Sequence, residues 1–299
     1  MFAITHKKIY LTIGAILMLL SWIVVFVYGL KPSIDFVGGS ILEYRLEGAR
    51  PMPVSITEAL VNNGYESVST RNAGETNMVI RMKEITPEAE EEVRGIVAGA
   101  AGSAVVLERF NTVGPVAGAA LLRKVIIATV VSVVVIMLFV MLAFRKVSEP
   151  VPSSRYAYAT IVALIHDISI PAGVFAILGY TMGLEVDILF VTALLAVLGY
   201  SINDTIVVFD RIRENLKNGM KRDENFEKLV GRSLKETLAR SFNTSFTLII
   251  TLLVLFFVSN EAVRSFVLAL LIGIVAGTYS SIFLASPLLV IFGGKKAKS

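Results

Sequence analysis

Six long apolar segments, separated by polar stretches, set the plan of this chain. Each is close to or above the roughly 17 to 25 residues that a helix needs to cross the hydrocarbon core of a bilayer. The pattern therefore predicts a multi-pass α-helical membrane protein with six transmembrane helices. The apolar segments cover residues 9–29, 125–144, 156–180, 186–209, 242–258 and 263–292.

The longest polar stretch, residues 31–124, predicts a folded domain inserted between the first and second spans. Its strand-forming runs, polar turns and helix starts give the order strand, helix, strand, strand, helix, strand. This is the order of a ferredoxin-like α+β domain. Strands are predicted over residues 39–46, 66–71, 77–82 and 104–110, helices over 56–63 and 87–101, and a hairpin connection over 72–76.

Capping signals predict where the two helices of this inserted domain begin. Ser55 and Glu58 have the spacing of a capping box. Thr86 and Pro87 combine an N-cap residue with proline at the first helical position. The domain shows no arrangement of nucleophile, base and oxyanion donors, so we expect a binding or mechanical element and not an enzyme.

A second polar segment, residues 210–240, joins the fourth and fifth spans. Its apolar residues recur at helical spacing, which predicts amphipathic helices along the membrane surface. Two roles stay open for it: a solvated connector oriented by its basic residues, or a docking surface for another subunit. The apolar positions are Ile212, Leu216, Met220, Phe226, Leu229, Val230, Leu234 and Leu238.

Basic residues collect in alternate loops and predict the orientation in the membrane. By the positive-inside rule, the loops that carry them are cytoplasmic. Both termini are then cytoplasmic, and the inserted domain is periplasmic or otherwise extracytoplasmic. The basic positions are Lys7, Lys8, Arg145, Lys146, Arg155, those of residues 210–240, and Lys295, Lys296 and Lys298 in a tail over residues 293–299.

The first apolar segment predicts a retained anchor. Its start, His6-Lys7-Lys8, is positive like that of a secretory signal peptide. Its apolar part is too long for a signal-peptide core, however, and no small-x-small cleavage site follows closely. Residues 1–30 are therefore expected to hold the N-terminus and the first span, and residues 125–292 the other five.

Composition supports the membrane setting and excludes several kinds of chemistry. Hydrophobic residues make up 55% of the chain, charged residues 17%, and the mean hydropathy is +0.73. The net charge of +4 is no sign of nucleic-acid binding, since basic loops on one side of a membrane produce it. With no cysteine, the chain has no disulfide, Cys-ligated zinc or thiol catalysis. We expect no metal and no cofactor.

Asp204 is the main functional candidate, because it lies in the otherwise apolar tract 199–209. A charged side chain at the centre of a bilayer costs roughly 2.5 to 3.5 kcal/mol or more. Such a residue normally faces a partner or a wet cavity. Asp204 therefore indicates transport, proton movement or intramembrane chemistry, and Tyr200 and Ser201 share its helical face.

Arg240, at the cytoplasmic start of the fifth span, is a possible partner for Asp204. Pairing favours the ionised carboxylate and separation favours the protonated form, so a moving pair would load and release a proton. A static structural pair is the alternative, and Arg240 is also placed to be a snorkelling anchor near the interface.

His166 and Asp167 fall near the middle of the third span, and Pro171 loosens the backbone four residues later. Two interpretations stay open for this pair. A His with a neighbouring Asp commonly forms a packing and hydrogen-bonding feature, whereas Asp167 is also a candidate for a proton relay with Asp204.

The final span carries a small residue at every fourth position, a pattern that lets another helix approach closely. It is mainly a packing signal, and a smooth seam of this kind also suits helices that slide during a transport cycle. The positions are Ala269, Gly273, Gly277, Ser281 and Ala285.

Two tracts carry a family resemblance. The first is Gly199-Tyr-Ser-Ile-Asn-Asp204, continued by Ile206-Val-Val-Phe-Asp-Arg-Ile-Arg-Glu-Asn215; the second is Ile34-Asp-Phe-Val-Gly-Gly39, with Gly114-Pro115 before the second span. Together they resemble the SecF branch of the SecD/SecF family of protein-export membrane proteins, in the resistance-nodulation-division superfamily. The resemblance covers essentially the whole chain.

This resemblance implies a function in late preprotein translocation driven by the proton-motive force, with SecD, the SecYEG channel and often YajC as partners. It implies a role in proton movement for Asp204 and Arg240, with which we group Asn203 and Asp167. The protons are the coupling ion. A further hypothesis assigns mechanical coupling between the inserted domain and the spans to Asp35, Gly38, Gly39, Gly114 and Pro115.

Two rival functions belong to other classes. A small-molecule exporter of the same superfamily usually carries large insertions in both halves of a longer chain, whereas the connections at 179–187 and 259–264 are short. An intramembrane aspartyl protease would use Asp167 and Asp204 as a dyad. The chain lacks the Gly-x-Gly-Asp tract of that class, and also the His-Glu-x-x-His of a metalloprotease.

Overall fold

The computed structural model describes residues 2–48, 51–145, 151–220, 222, 224–259 and 261–293. These form two compact units. The inserted domain runs from Pro32 to Ile126, and the helical unit consists of the chain before and after it. The predicted basic tail over residues 293–299 lies outside the described residues, apart from Gly293.

The elements follow one another in a simple order along the chain. The helices are α1 (Phe2–Thr5), α2 (Lys7–Tyr28), α3 (Ile34–Val37), α4 (Pro53–Asn62), α5 (Pro87–Ala101), α6 (Pro115–Ala143), α7 (Ser153–Met182), α8 (Ile188–Lys217), α9 (Phe226–Val258), α10 (Glu261–Ser280) and α11 (Ser286–Gly293). A π-helical turn, Ser281–Ala285, joins α10 to α11. The strands are β1 (Gly39–Leu46), β2 (Ser69–Ala73), β3 (Asn77–Met82) and β4 (Val105–Val113).

Six helices in the described part of the chain are long and apolar enough to cross a membrane. They are α2, α6, α7, α8, α9 and the final span, which consists of α10 from Val263 onward, the π-helical turn and α11. The predicted six-span membrane architecture is confirmed. In the helical unit, α7 and the final span are the most buried of the six, so the polar groups on their inner faces are shielded from the surroundings.

The segment 210–240, for which amphipathic helices are predicted, is formed largely by extensions of two spans. α8 continues unbroken to Lys217, and α9 begins at Phe226, where the Asn225 side chain accepts a hydrogen bond from the Lys228 amide at 2.9 Å. Most apolar residues of the segment pack into the core of the helical unit, whereas Met220 is exposed, and four of them are fully buried. These four are Ile212, Leu229, Val230 and Leu234.

Polar contacts hold these extended ends of α8 and α9 together. Arg211 and Asn215 of α8 both donate to the Glu236 carboxylate, at 2.7 and 2.9 Å. Lys7, at the start of α2, forms an ion pair of 2.5 Å with Glu227. The beginning of the chain is therefore fastened to the same end of the helical unit as the α8–α9 connection.

The final span packs closely against α8 through its small residues. A Cβ atom added to Gly273 would lie 2.3 Å from Cγ2 of Val197, and one added to Gly277 would lie 3.3 Å from Cβ of Ser201. The first distance is far below a normal contact. Glycine at 273 is thus needed for the observed approach of the two helices.

The inserted domain has a four-stranded antiparallel sheet, in the order β2-β3-β1-β4, among the described residues. Because α4 precedes β2 and α5 precedes β4, the chain order and sheet order are those of a ferredoxin-like domain. The predicted fold class is confirmed. Its core is built from alternate residues of the strands and one face of each helix: Leu42, Tyr44, Leu46, Ile56, Leu60, Met78, Ile80, Met82, Val93 and Val97.

The predicted starts of α4 and β2 in this domain were wrong, and β4 ends at Val113 and not at residue 110. The capping box at Ser55 and Glu58 does not form, because α4 begins earlier: Met52 is the N-cap and Pro53, with its fixed φ, opens the helix. β2 begins at Ser69 and not at residue 66, since Ser67 has a positive φ of 56° that interrupts an extended chain. The predicted N-cap at Thr86 is confirmed, with its side chain accepting from the Ala89 amide.

An exposed ion pair lies just before β2, where Lys83 Nζ donates to the Glu66 carboxylate at 2.8 Å. This hydrogen bond and the attraction between the charges lower the pKa of Glu66 and raise the pKa of Lys83. Both side chains are exposed, so solvent screens the interaction.

Candidate functional site: two buried carboxylates bridged by serines

Asp204 lies on the inner face of α8 and is only 5% exposed. Its Oδ2 accepts a hydrogen bond from the hydroxyl of Ser281, the first residue of the π-helical turn. No ion pair to Asp204 occurs in the described part of the chain. The carboxylate is thus buried among apolar helices with a neutral partner.

Asp167 of α7 is a second buried carboxylate, with no exposed surface. Its Oδ2 accepts from the hydroxyls of Ser201 and Ser280, the latter at 2.7 Å. Its Oδ1 lies 2.9 Å from Nδ1 of His166. Asp167 therefore has partners from α7, α8 and α10, and no hydrogen bond joins it directly to Asp204 among the described residues.

The two carboxylates are connected through consecutive residues of the final span. Ser280 ends α10 and contacts Asp167, whereas Ser281 begins the π-helical turn and contacts Asp204. Neighbouring residues of a helix point about 100° apart, so one turn reaches two other helices. Single π-helical turns within α-helices are frequent at functional sites.

His166 completes the cluster and is 1% exposed. Its ring stacks on that of Tyr279, with 5.6 Å between the ring centroids and 27° between the ring planes. The Tyr279 hydroxyl in turn donates to the backbone carbonyl of Tyr10 on α2 at 2.7 Å. Nε2 of His166 is buried without a hydrogen-bond partner in the described structure.

Besides the contacts to Glu236, two hydrogen bonds fix the register between α8 and α9. The Tyr200 hydroxyl lies 2.6 Å from the Ser245 hydroxyl, and Asn215 Nδ2 donates to the Ser233 hydroxyl at 2.9 Å. The Ser245 hydroxyl also accepts from Thr278 at 2.8 Å. A chain of hydroxyl groups therefore ties α8, α9 and α10 together one turn away from Asp204.

In this register Arg240 lies within about one turn of Asp204 along the helices, but the two residues do not meet. Arg240 is exposed on the outer face of α9, whereas Asp204 is buried. No salt bridge joins them among the described residues. Asn203 is also exposed, on the outer side of α8. Of the four predicted relay residues, the structure brings Asp167 and Asp204 into one cluster and leaves Asn203 and Arg240 outside it.

The residues predicted to couple the inserted domain to the spans lie where the chain enters and leaves that domain. A Cβ atom on Gly38 would lie 2.7 Å from Cα of Pro115, and one on Gly39 would lie 2.7 Å from the carbonyl oxygen of Met82. Both glycines have positive φ angles, 80° and 124°. Asp35 lies in the short helix α3 that precedes them, and Gly114 directly precedes Pro115.

Sequence reasoning did not identify Ser280 as a site residue and placed Ser281 only in the packing stripe. The available signal was a pair of adjacent hydroxyl residues, Ser280-Ser281, in an apolar span. In chemical terms, the cluster holds carboxylates, hydroxyls and one imidazole, which together can bind, orient and pass protons. The described residues include no group of three or more His, Cys, Asp or Glu side chains placed to hold a metal ion.

Comparison with protein families gives two matches. Residues 95–295 match the profile described as "Protein export membrane protein SecD/SecF, C-terminal", and residues 23–49 match the "SecD/SecF GG Motif". The second match contains Gly38 and Gly39. The first contains both buried carboxylates and the π-helical turn.

Individual proteins agree with these matches. The protein translocase subunit SecF of Thermobaculum terrenum is 41% identical over 281 residues, which cover 90% of this chain and 86% of that protein. SecF of Anaerolinea thermophila is 34% identical over 288 residues, or 96% and 92% of the two chains. The crystal structure of SecDF from Thermus thermophilus, described as a translocon-associated membrane protein, superposes with a TM-score of 0.83 at 32% identity. It covers 98% of this chain, which spans 38% of the SecDF chain.

Proposed function

The chain belongs to the SecD/SecF family of protein-export membrane proteins, and from this premise we propose that it is the SecF subunit of a translocase accessory complex. With SecD, it uses the proton-motive force to drive late preprotein translocation, after the ATP-dependent step. Protons are the coupling ion, and neither a cofactor nor catalysis of a covalent reaction is part of the proposal.

One observation carries this proposal: Asp204 is buried within the spans and bonded to a serine hydroxyl, and no cationic side chain of the described residues pairs with it. A hydroxyl can donate to a carboxylate or accept from a carboxylic acid, so both protonation states of Asp204 can be satisfied at this position. A proton can then bind and leave without the breaking of a buried ion pair. Such ionisable residues within spans commonly serve as proton relays.

Exposed polar side chains on the spans support SecD as the partner. Asn203, Arg240 and Asn243 are exposed within about one turn of Asp204 along the helices. Polar groups at such depth normally face protein or a wet cavity and not lipid. The Thermus relative is a SecDF chain of which this protein matches a part, and helices of SecD are suited to cover this face.

Arg240 then acts at the subunit boundary in the proposed cycle. Arg240 is exposed and close to the level of Asp204. A rotation of α9, or a carboxylate of the partner that competes for the guanidinium, would determine whether Arg240 forms an ion pair with Asp204. Pairing favours the ionised form of Asp204 and separation favours the protonated form. Asn203 and Asp167 belong to the same proposed proton route.

The proposed orientation places both termini in the cytoplasm and the inserted domain in the periplasm, because the basic loops share one side. The inserted domain holds or releases the emerging preprotein, and the SecYEG channel, with YajC, is the proposed neighbour. Gly38, Gly39 and Pro115 transmit motion, since their close approach joins the entry and exit of the domain.

The rival functions gain no comparable support. An aspartyl protease needs carboxyl groups that share a proton directly, whereas here Asp167 and Asp204 each accept from a different serine, and no hydrogen bond joins them among the described residues. A small-molecule exporter usually has large insertions in both halves, which would require a second domain like Pro32–Ile126. The described residues contain one such α/β unit.

The decisive experiment measures completion of preprotein translocation in vesicles that contain the channel, its ATPase motor, SecD and this chain. Asp204→Asn is compared with wild type, with and without a proton gradient. We expect the variant to lose the gradient-dependent part and to keep the ATP-driven part. Asp210→Asn is the matched control, since Asp210 lies on the same helix but is exposed and paired with Arg213. A normal gradient response in Asp204→Asn would refute the proposal.

A further inference from the structure

The adjacent serines of the final span have a property that the proton-carrying function does not by itself require. Each hydroxyl has a second acceptor within reach on its own helix. Ser280 Oγ lies 3.1 Å from the Gly277 carbonyl oxygen, and Ser281 Oγ lies 3.2 Å from the Thr278 carbonyl oxygen. Each hydroxyl proton can therefore point either at a carboxylate or at the helix backbone.

We propose that Ser280 and Ser281 are positioning residues that couple the protonation of Asp204 to that of the His166–Asp167 pair, with the π-helical turn as the link. The functional meaning of this inference rests on the proposed function of Asp204.

The argument begins with the two states of each serine. When the carboxylate is ionised, it accepts the hydroxyl proton. When it is protonated, its own O–H must donate, and the serine then turns its proton to the backbone carbonyl and accepts from the acid. Both states leave the buried groups hydrogen-bonded, so neither carries the cost of an unsatisfied donor or acceptor. Each serine thus allows its carboxyl group to be protonated, and the direction of its hydroxyl proton changes with the protonation state.

The two serines are connected because they are consecutive in the chain. Ser280 and Ser281 share a peptide bond, and the π-helical turn begins at Ser281. The Ser286 hydroxyl donates to the Ser281 carbonyl oxygen at 3.2 Å, five residues back, and helps to satisfy the widened turn. A shift of this turn toward or away from α8 therefore moves the Ser280 contact with α7 as well. One carboxyl group is coupled to the other through a single backbone segment.

His166 gives the second site a further place for a proton. Nδ1 contacts Asp167, and Nε2 is buried without a partner among the described residues. Two further titratable groups lie beside these sites: Tyr279, which stacks on the imidazole, and Tyr200, which is bonded to a serine of α9. Arg240 of α9 is exposed and bonded to neither carboxylate.

The test uses a hydrophobic carbodiimide, which modifies protonated carboxyl groups in apolar surroundings. Full-length protein with SecD in vesicles is labelled over a range of pH, and the modified peptides are quantified by mass spectrometry. Asp204→Asn and Asp167→Asn assign the two signals. A hydrogen bond to a charged group favours the charged form, so its removal should let labelling persist to higher pH.

In Ser281→Ala, we expect labelling of Asp204 to persist to a higher pH than in wild type, and Ser281→Thr should restore the wild-type profile. In Ser280→Ala, the labelling of Asp204 should shift as well, by less, because the two sites are coupled. Thr160→Ala is the control, since this buried hydroxyl on α7 donates to the Tyr156 carbonyl oxygen and to no carboxylate of the described residues, and should leave both profiles unchanged.

An unchanged Asp204 profile in Ser281→Ala overturns the inference, as does a response of Asp204 to Ser281 but not to Ser280. If Ser281→Ala does not yield folded protein, Ser281→Cys replaces it, because a thiol is a weak donor. The outcomes separate the two proposals. A normal gradient response in Asp204→Asn together with shifted labelling in the serine variants would reject the proton-driven function and keep the coupling. Loss of the gradient response in Asp204→Asn together with unchanged labelling in the serine variants would reject only the coupling.

Discussion

Gly38→Ala tests how the two ends of the inserted domain are joined. Gly38 has φ of 80° and ψ of 169°, a region of backbone conformation that is essentially restricted to glycine. Alanine there costs about 1 to 3 kcal/mol for the backbone alone. The added Cβ would also lie 2.7 Å from Cα and 2.8 Å from N of Pro115. These are backbone atoms and cannot move aside as a flexible side chain would.

Overpacking of this kind adds about 1 to 3 kcal/mol, so we expect Gly38→Ala to destabilise the inserted domain by about 2 to 6 kcal/mol. Gly64→Ala is the matched control. Gly64 belongs to the same domain and has a positive φ of 89°, but nothing lies within 4 Å of a Cβ atom there. It should show only the backbone cost.

Hydrogen exchange of the amides in β1 and β3, measured on the full chain in detergent, gives the free energy of opening for both variants. Gly38→Ala should lower this free energy by about 1 to 3 kcal/mol more than Gly64→Ala does. Equal losses in the two variants would show that the contact with Pro115 contributes nothing, and the assignment of this junction as a coupling element would lose its structural basis.

Two further predictions concern the helical seam and the exposed ion pair. Gly273→Ala should destabilise the helical unit by about 1 to 3 kcal/mol in thermal unfolding, and a second substitution, Val197→Ala, should recover part of the loss. Gly199→Ala is the control and should not destabilise the unit, because nothing lies within 4 Å of a Cβ atom there. An equal effect at both glycines would contradict the close packing of the final span on α8. Lys83→Met should raise the pKa of Glu66 toward its ordinary value in an NMR titration. The contribution of this pair is present at neutral pH and is lost as the pH falls through the lowered pKa of Glu66; an unchanged titration would contradict the assigned partner.

Much of the inserted domain could be predicted because its signals are local. β1, β3 and α5 have the predicted bounds, since alternating apolar residues and the Thr86-Pro87 start act over a few residues. The misplaced start of β2 depends on one backbone angle at Ser67, and no residue type announces a positive φ at a serine. Pro53 is a residue type that favours the first position of a helix, but the capping-box spacing of Ser55 and Glu58 favours a later start, and the sequence alone does not show which signal prevails.

The site was only partly predictable, for a different reason. The cost of burying a carboxylate in an apolar span identifies Asp204 from composition alone. Its partners depend on how three helices rotate against one another, and apolar periodicity does not determine that rotation. The same limit applies to Arg240, whose level along α9 follows from the sequence but whose outward direction does not. The π-helical turn leaves no mark in the hydropathy pattern, because all its residues would also suit an α-helix.

The pairing of β1 with β4 has a consequence for the architecture of the chain as a whole. Gly39 lies opposite Val113 in this antiparallel ladder, so the first and last strands of the inserted domain begin and end side by side. Partners in such a ladder have Cα atoms only about 4.5 to 5.5 Å apart. Because the two ends of the inserted domain are adjacent, the domain can take the place of a short turn between two helices. The distance between the chain ends that it connects does not change. The domain therefore has the form of an exchangeable cassette, which evolution or protein engineering can lengthen, replace or transplant while the spans keep their sequence.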